Sequence, residues 1–259
     1  MKTLFRSVAM AFSMFSVVPM PAVEWKKENM KYMLCALPLV GAVIAAALLL
    51  WHLLCQWLEF GAVLYAAGVT LIPLALSGGI HMDGFCDTVD ALSSHAAPER
   101  KREILKDSHA GAFAIMFTAA YLLLYFALCT EPERSLTAAV VLGVHQVFAR
   151  SLGALAGVAF PASGSKGLLA SFRDGAAKRA AVVLAVWCVL CAAVLIVLAP
   201  VSGIVCTLAA AVLLWYLRVM SQKEFGGMSG DLAGYLITLA QLVLLACFVL
   251  VEKVGLVCF

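Results

Sequence analysis

Apolar runs of about 20 residues, the length a helix needs to cross a hydrocarbon layer, return seven times along this chain. They lie at roughly 33–54, 60–80, 111–129, 136–160, 181–199, 201–219 and 235–251. In lipid, backbone N–H and C=O groups find no water, so each run must satisfy its own hydrogen bonds as a helix. The pattern predicts an all-α fold, a polytopic integral membrane bundle of about seven transmembrane helices. A content of 64% hydrophobic and 13% charged residues over 259 positions leaves too little polar surface for a soluble domain of that size. No linker or low-complexity stretch divides the chain, so residues 1–259 read as a single membrane-embedded domain. Before Lys26, residues Phe5, Ala9, Phe12 and Phe15 fall at helical spacing with Lys2 and Arg6 near the start, which suits a helix lying along the membrane surface.

The connections between the runs carry their basic residues unevenly. Lys2, Arg6, Lys26, Lys27 and Lys31 precede the first run, Arg100, Lys101, Arg102 and Lys106 follow the second, Lys166, Arg173, Lys178 and Arg179 follow the fourth, and Arg218 and Lys223 follow the sixth. The alternate connections hold only Arg134 and Lys253. Because Lys and Arg accumulate on the cytoplasmic side, the N-terminus is expected to be cytoplasmic. Every aspartate falls on that same side, so the chemistry is expected to face the cytoplasm of the cell membrane.

Residues 77–111 concentrate the polar chemistry, with four of the six aspartates and three of the five histidines. Asp83, Asp87 and Asp90 stand at i, i+4 and i+7, one face of a helix. Carboxylates placed so closely repel one another unless a cation neutralises them, and oxygen-only ligands favour a hard ion such as Mg²⁺, usually shared with substrate phosphates. A solvated helix face is the plainer alternative. Against it stand the apolar neighbours Met82, Phe85, Val89 and Leu92, and the glycines at 78, 79 and 84, which permit close approach of backbone or ligand.

Further along, Lys106-Asp107-Ser108-His109 precedes Gly111 at the start of a run, where helix N–H groups welcome an anion, although taken alone the motif reads more simply as an ordinary helix cap with a routine Lys. Arg150 lies deep inside a run, where a charge is costly and faces a bundle interior or a water-filled cavity. It is read as a phosphate clamp, with snorkelling to the surface as the alternative. His145 is read as a satisfied interior histidine. The 161–180 connection, with Lys166 and Arg173, has the composition of an anion-binding loop without a full phosphate-loop pattern. Gly226-Gly227-Met228-Ser229-Gly230-Asp231 repeats the scheme of glycines followed by a carboxylate at a helix start, and could equally be a turn with a capping Asp. The cysteines lack metal-ligand spacing, and nothing points to nucleic-acid binding. Acidic cluster, buried Arg and basic loops together fit metal-assisted transfer at a phosphate.

The runs G-G-I-H-M-D-G-F-C-D-T-V-D, K-D-S-H-A-G and G-G-M-S-G-D, in that order and approximate spacing, resemble the cobalamin synthase family, whose members are adenosylcobinamide-GDP ribazoletransferases. V-V-P-M-P at 17–21 is similar to that family's N-terminal segment. The resemblance implies an enzyme joining adenosylcobinamide-GDP to α-ribazole or α-ribazole 5′-phosphate, with release of GMP and with Mg²⁺ as cofactor. Residue by residue it marks Asp83, Asp87 and Asp90 as the acidic motif, Lys106, Asp107 and Ser108 as the second motif, and Gly226, Gly227, Gly230 and Asp231 as the third. His109, Ala91 and Ser229 depart from the family pattern, where Arg, Gly and Thr are expected.

The sequence reading therefore places Mg²⁺ on Asp83, Asp87, Asp90 and Asp231, phosphate on Lys106, Asp107, Ser108, Arg150, Gly226, Gly227 and Gly230, and the proton on Asp231 or His109. The lipid bilayer is the expected surrounding, and a homo-oligomer is left open. Two alternatives stand beside it. One is a CDP-alcohol phosphotransferase acting on lipids, although after Asp83-Gly84 the sequence continues F-C-D-T. The other is a small transporter, for which an internal repeat is lacking.

Overall fold

The computed structural model describes residues 2–107, 109–163, 169 and 179–258, with side chains to residue 255. An amphipathic helix α1 (Lys2–Phe15) comes first, then a short α2 (Lys27–Met30) and a 3₁₀ turn leading into α3 (Leu37–Trp57). The remaining helices are α4 (Ala62–Leu76), α5 (Ile80–Ser93), α6 (Pro98–Ile104), α7 (Ala112–Cys129), α8 (Leu136–Ala159), α9 (Ala180–Leu198), α10 (Pro200–Phe225) and α11 (Gly230–Cys258). Among the described residues, six helical stretches are long and apolar enough to cross a bilayer, and α4 with α5 makes a seventh if that pair counts as one bent span.

The pair corrects the expected second span at 60–80. α4 stops at Leu76, and α5 leaves it at 90°. Gly78 and Gly79 make the corner, with φ of +63° and +77°, left-handed values that side chains with a Cβ rarely adopt. The acidic stretch is thus helical almost from the corner onward. The sixth and seventh spans run longer than expected, to Phe225 and from Gly230, because polar residues continue each helical pattern beyond the lipid-facing part.

α8 and α11 form the enclosed axis of the bundle, while α7, α9 and α10 present apolar side chains outward, among them Leu123, Val197 and Trp215. α3 lies close on α8 because Gly41 has no side chain: a Cβ there would fall 2.8 Å from the Gln146 carbonyl oxygen. α5 packs on α11 through a second close approach, in which a Cβ on Gly84 would fall 2.6 Å from the Asp231 carbonyl oxygen. Phe85 stacks on Tyr235 with centroids 5.7 Å apart, and the Thr238 hydroxyl donates to the His81 carbonyl at 3.0 Å. This contact sets the first and third motifs side by side, although about 140 residues separate them in sequence.

Candidate active site

Where α5, α6 and α11 meet, a cavity of about 590 Å³ opens, within the range of small-molecule sites. Asp83 of α5 and Asp231 of α11 line it, as do Arg102 and Lys106 from α6 and the turn after it, and Ser163, Ser229 and Gly230. Apart from His81, the rest of the lining is apolar, including Met14 and Phe15 from the end of α1, Leu34 and Leu37 just before and at the start of α3, and Leu105, Met228 and Ile237. The cavity therefore has carboxylates from two helices, cations from a third and a greasy wall.

Its floor is built by a short main-chain pairing. Met228 N–H donates to the Pro161 carbonyl at 2.7 Å, and Ser163 N–H donates to the Met228 carbonyl at 3.0 Å. Gly227 makes this pairing possible, since a Cβ there would lie 2.5 Å from the Ala162 carbonyl carbon. Gly226 ends α10 in the left-handed conformation. These two glycines shape the site without lining it, and Gly230 lines it.

α6 is held in place by charge. Lys101, buried, pairs with Glu224 near the end of α10, and the Arg102 guanidinium donates to the Phe225 carbonyl at 3.2 Å and to Glu99 at 3.0 Å. Lys106 next to it makes no ion pair among the described residues and remains available to an anion.

The expected residues do not all converge. Asp83, Lys106, Gly230 and Asp231 share the cavity. Asp87 stands one turn from Asp83 on α5 and within electrostatic reach of Asp83, Asp90, Asp107 and Asp231. Asp90 is engaged elsewhere: its two carboxylate oxygens accept from Gly111 N–H at 2.6 Å and Ala114 N–H at 2.8 Å, capping α7. Asp107 and His109 pair with each other on the surface, with His109 Nδ1 2.7 Å from the Asp107 carboxylate. That ring contact, then the His109 backbone N–H, holds the Asp107 carboxyl below the usual carboxylate range. Arg150 is 1% exposed and lines a separate void of about 30 Å³. Ser108, Lys166 and Arg173 lie outside the described residues.

The sequence reading missed Arg102, His81 and the end of α1 as cavity residues. Arg102 entered that reading only as one of several basic residues between spans, and no spacing signalled that α6 would fold back on α10. Asp90 also carries a testable consequence. Asp90→Ala removes a helix cap and should lower stability by about 1–2 kcal/mol, read as a fall in Tm of the detergent-solubilised protein, whereas Asp90→Asn, which keeps an acceptor oxygen, should recover much of the loss.

The donor set fits a hard divalent cation. Among the described residues no three His, Cys, Asp or Glu side chains form a ready-made cage. Asp83 and Asp231 nevertheless bring two carboxylates to one cavity beside the hydroxyls of Ser163 and Ser229, and one or two carboxylates plus substrate phosphate is the usual environment of Mg²⁺. Facing carboxylates and cations at a bundle end define a membrane-embedded site suited to chemistry on a phosphate-linked substrate. A sequence model of the cobalamin-5-phosphate synthase family matches residues 7–249, and the chain belongs to that family. It is 38% identical to the adenosylcobinamide-GDP ribazoletransferase of Lachnoclostridium phytofermentans, covering 96% of this chain and 95% of that protein. Identity to the enzymes of that name from Clostridium perfringens strain 13 and Geobacillus thermodenitrificans is 31% and 30%, over 93% and 92% of this chain and 96% and 92% of theirs. No solved structure matches. Family membership sets aside the CDP-alcohol phosphotransferase and transporter readings.

Proposed function

We propose that this protein is an adenosylcobinamide-GDP ribazoletransferase, joining adenosylcobinamide-GDP to α-ribazole or its 5′-phosphate with release of GMP. The observation that carries this reading is the single cavity in which Asp83 and Asp231 face Lys106 and Arg102, in a chain that matches the family from residue 7 to 249. Asp83 and Asp231, with Asp87 beside them, would hold Mg²⁺, whose chemistry when bound is to neutralise charge on the pyrophosphate.

The ribose hydroxyl of α-ribazole attacks the phosphorus nearer the cobinamide, the bond from that phosphorus to the bridging oxygen breaks, and GMP departs with that oxygen. Lys106 and Arg102 hold the phosphate oxygens and take up negative charge as it develops. Of the two expected proton acceptors, Asp231 lines the cavity while His109 pairs with Asp107 on the surface, which supports Asp231 as the acceptor of the hydroxyl proton. The apolar wall from α1 and α3 suits the non-phosphate parts of a large amphipathic substrate. The distribution of Lys and Arg supports a cavity that opens toward the cytoplasmic face of the cell membrane.

The test uses purified, detergent-solubilised protein with adenosylcobinamide-GDP and either acceptor, following GMP and corrinoid product with Mg²⁺ and with chelator. Product that requires Mg²⁺ is expected. Product formed at full rate under chelation keeps the reaction and removes the cation, and no product with either acceptor from folded protein refutes the reading.

A further inference from the structure

The buried Arg150 is a charge without a counter-ion. Among the described residues no carboxylate pairs with it, and it is 1% exposed in α8, one of the two enclosed helices. Its Nη1 donates to the Gln146 carbonyl and to Gln146 Oε1, both at 3.1 Å, while its Nε is buried with no partner. Gln146 cannot supply more: its Oε1 already accepts from Gln241 at 2.8 Å, and its amide donates to the Tyr125 hydroxyl at 3.4 Å. His81 Nε2, also buried without a partner, belongs to a residue that lines the same small void as Arg150, and the Tyr125 hydroxyl, as an acceptor from Gln146, keeps its own proton to give.

Arg150, Tyr121, Tyr125 and Gln241 line the void of about 30 Å³, with Thr70, Ser77, Thr238 and His81 completing the polar part of its wall; the hydroxyls of Thr70 and Ser77 already donate to backbone carbonyls of their own helix. Such a space exceeds what one water requires and is far too small for a phosphate. Water filling it could satisfy hydrogen bonds but not charge, and an isolated charge in a low-dielectric interior demands an opposite one. We propose that this void is a binding site for a single monatomic anion of the halide class, held by Arg150 with Tyr125 and Gln241 as further donors. The site is distinct from the large cavity and independent of the reaction assigned there, although His81 lies in the wall of both.

The experiment measures Tm of the detergent-solubilised protein while chloride or bromide replaces gluconate at constant ionic strength, together with anomalous diffraction from bromide-grown crystals. A saturable halide-dependent rise of about 4 °C, as ligand linkage gives near tenfold saturation, is expected in wild type and in Asp83→Asn. Tyr125→Phe, which removes one hydroxyl and keeps the ring, should raise the half-saturating halide concentration about tenfold, and Arg150→Gln should abolish the response. If Arg150→Gln does not fold, Tyr125→Phe and the bromide position still decide. An anomalous peak beside Arg150 supports the proposal. Equal Tm in gluconate and halide, or crystals with only water in the void, overturns it.

Discussion

Replacing Asp83 with asparagine is expected to leave a folded protein whose transfer rate is lower by about 10²–10³-fold, the range seen when one preorganised electrostatic group is removed from a transition state. Asp83 is exposed to the cavity rather than packed in the core, so the substitution removes charge without opening a hole. The loss should fall on kcat and kcat/KM together, because the missing charge acts on the phosphate as it changes. Asp231→Asn should lose a comparable amount, and the double variant little more than either alone, since the two carboxylates act as one unit facing the same group. Raising Mg²⁺ should recover part of the single-variant activity if the remaining carboxylate still binds it weakly. A Thermofluor or circular-dichroism profile matching wild type guards against loss by unfolding. An Asp83→Asn protein turning over at the wild-type rate would remove the acidic pair from the mechanism.

Gly84→Ala should be strongly damaging although it leaves every charged group in place. The added methyl would stand 2.6 Å from the Asp231 carbonyl oxygen and 3.0 Å from its Cα, and both are backbone atoms that cannot rotate aside. α5 and α11 must separate, at an expected stability loss of about 1–3 kcal/mol as for other overpacked contacts. Separation also moves Asp83 away from Asp231, and a displacement near 1 Å in a reacting geometry costs about 10²-fold in rate. Gly61→Ala is the control: a Cβ there meets nothing within 4 Å, and its effect should stay within about 0.5 kcal/mol. Equal stability and activity for the two variants would show that α5 and α11 do not depend on this approach.

Read as a sequence, the chain states its helices well and its corners poorly. Hydropathy located α3, α7, α8 and α9 to within a few residues, because lipid-facing helices are written in apolar residues whatever their neighbours. It failed between α4 and α5, where an apolar run through Leu76 and a polar one from Ile80 meet at Gly78 and Gly79 with a 90° turn. Hydropathy measures composition, and the turn is a matter of backbone dihedrals.

The site divides along the same line. That Asp83, Asp87 and Asp90 share a helix face follows from i, i+4, i+7 spacing alone. Which of them reaches the cavity does not. Asp83 meets Asp231 because two helices remote in sequence close over Gly84, while Asp90 is drawn into the N–H groups of Gly111 and Ala114 at the head of α7. Arg150 could be recognised as a misplaced charge from its position within an apolar run, with Gln146 one turn before it on the same helix, yet the rest of its surroundings, Gln241 and two tyrosines from α7, was set by packing.

By itself, then, the sequence determined a membrane bundle, its polar motifs and the family they belong to, since these rest on local spacing and on the price of polar groups in lipid. The tertiary structure decided which carboxylates face Lys106 and Arg102, that α1 walls the cavity, and that Arg150 stands apart from it. Those outcomes depend on contacts between residues far apart in the chain, where the absence of a single Cβ at Gly84 or Gly227 fixes how closely two backbones meet.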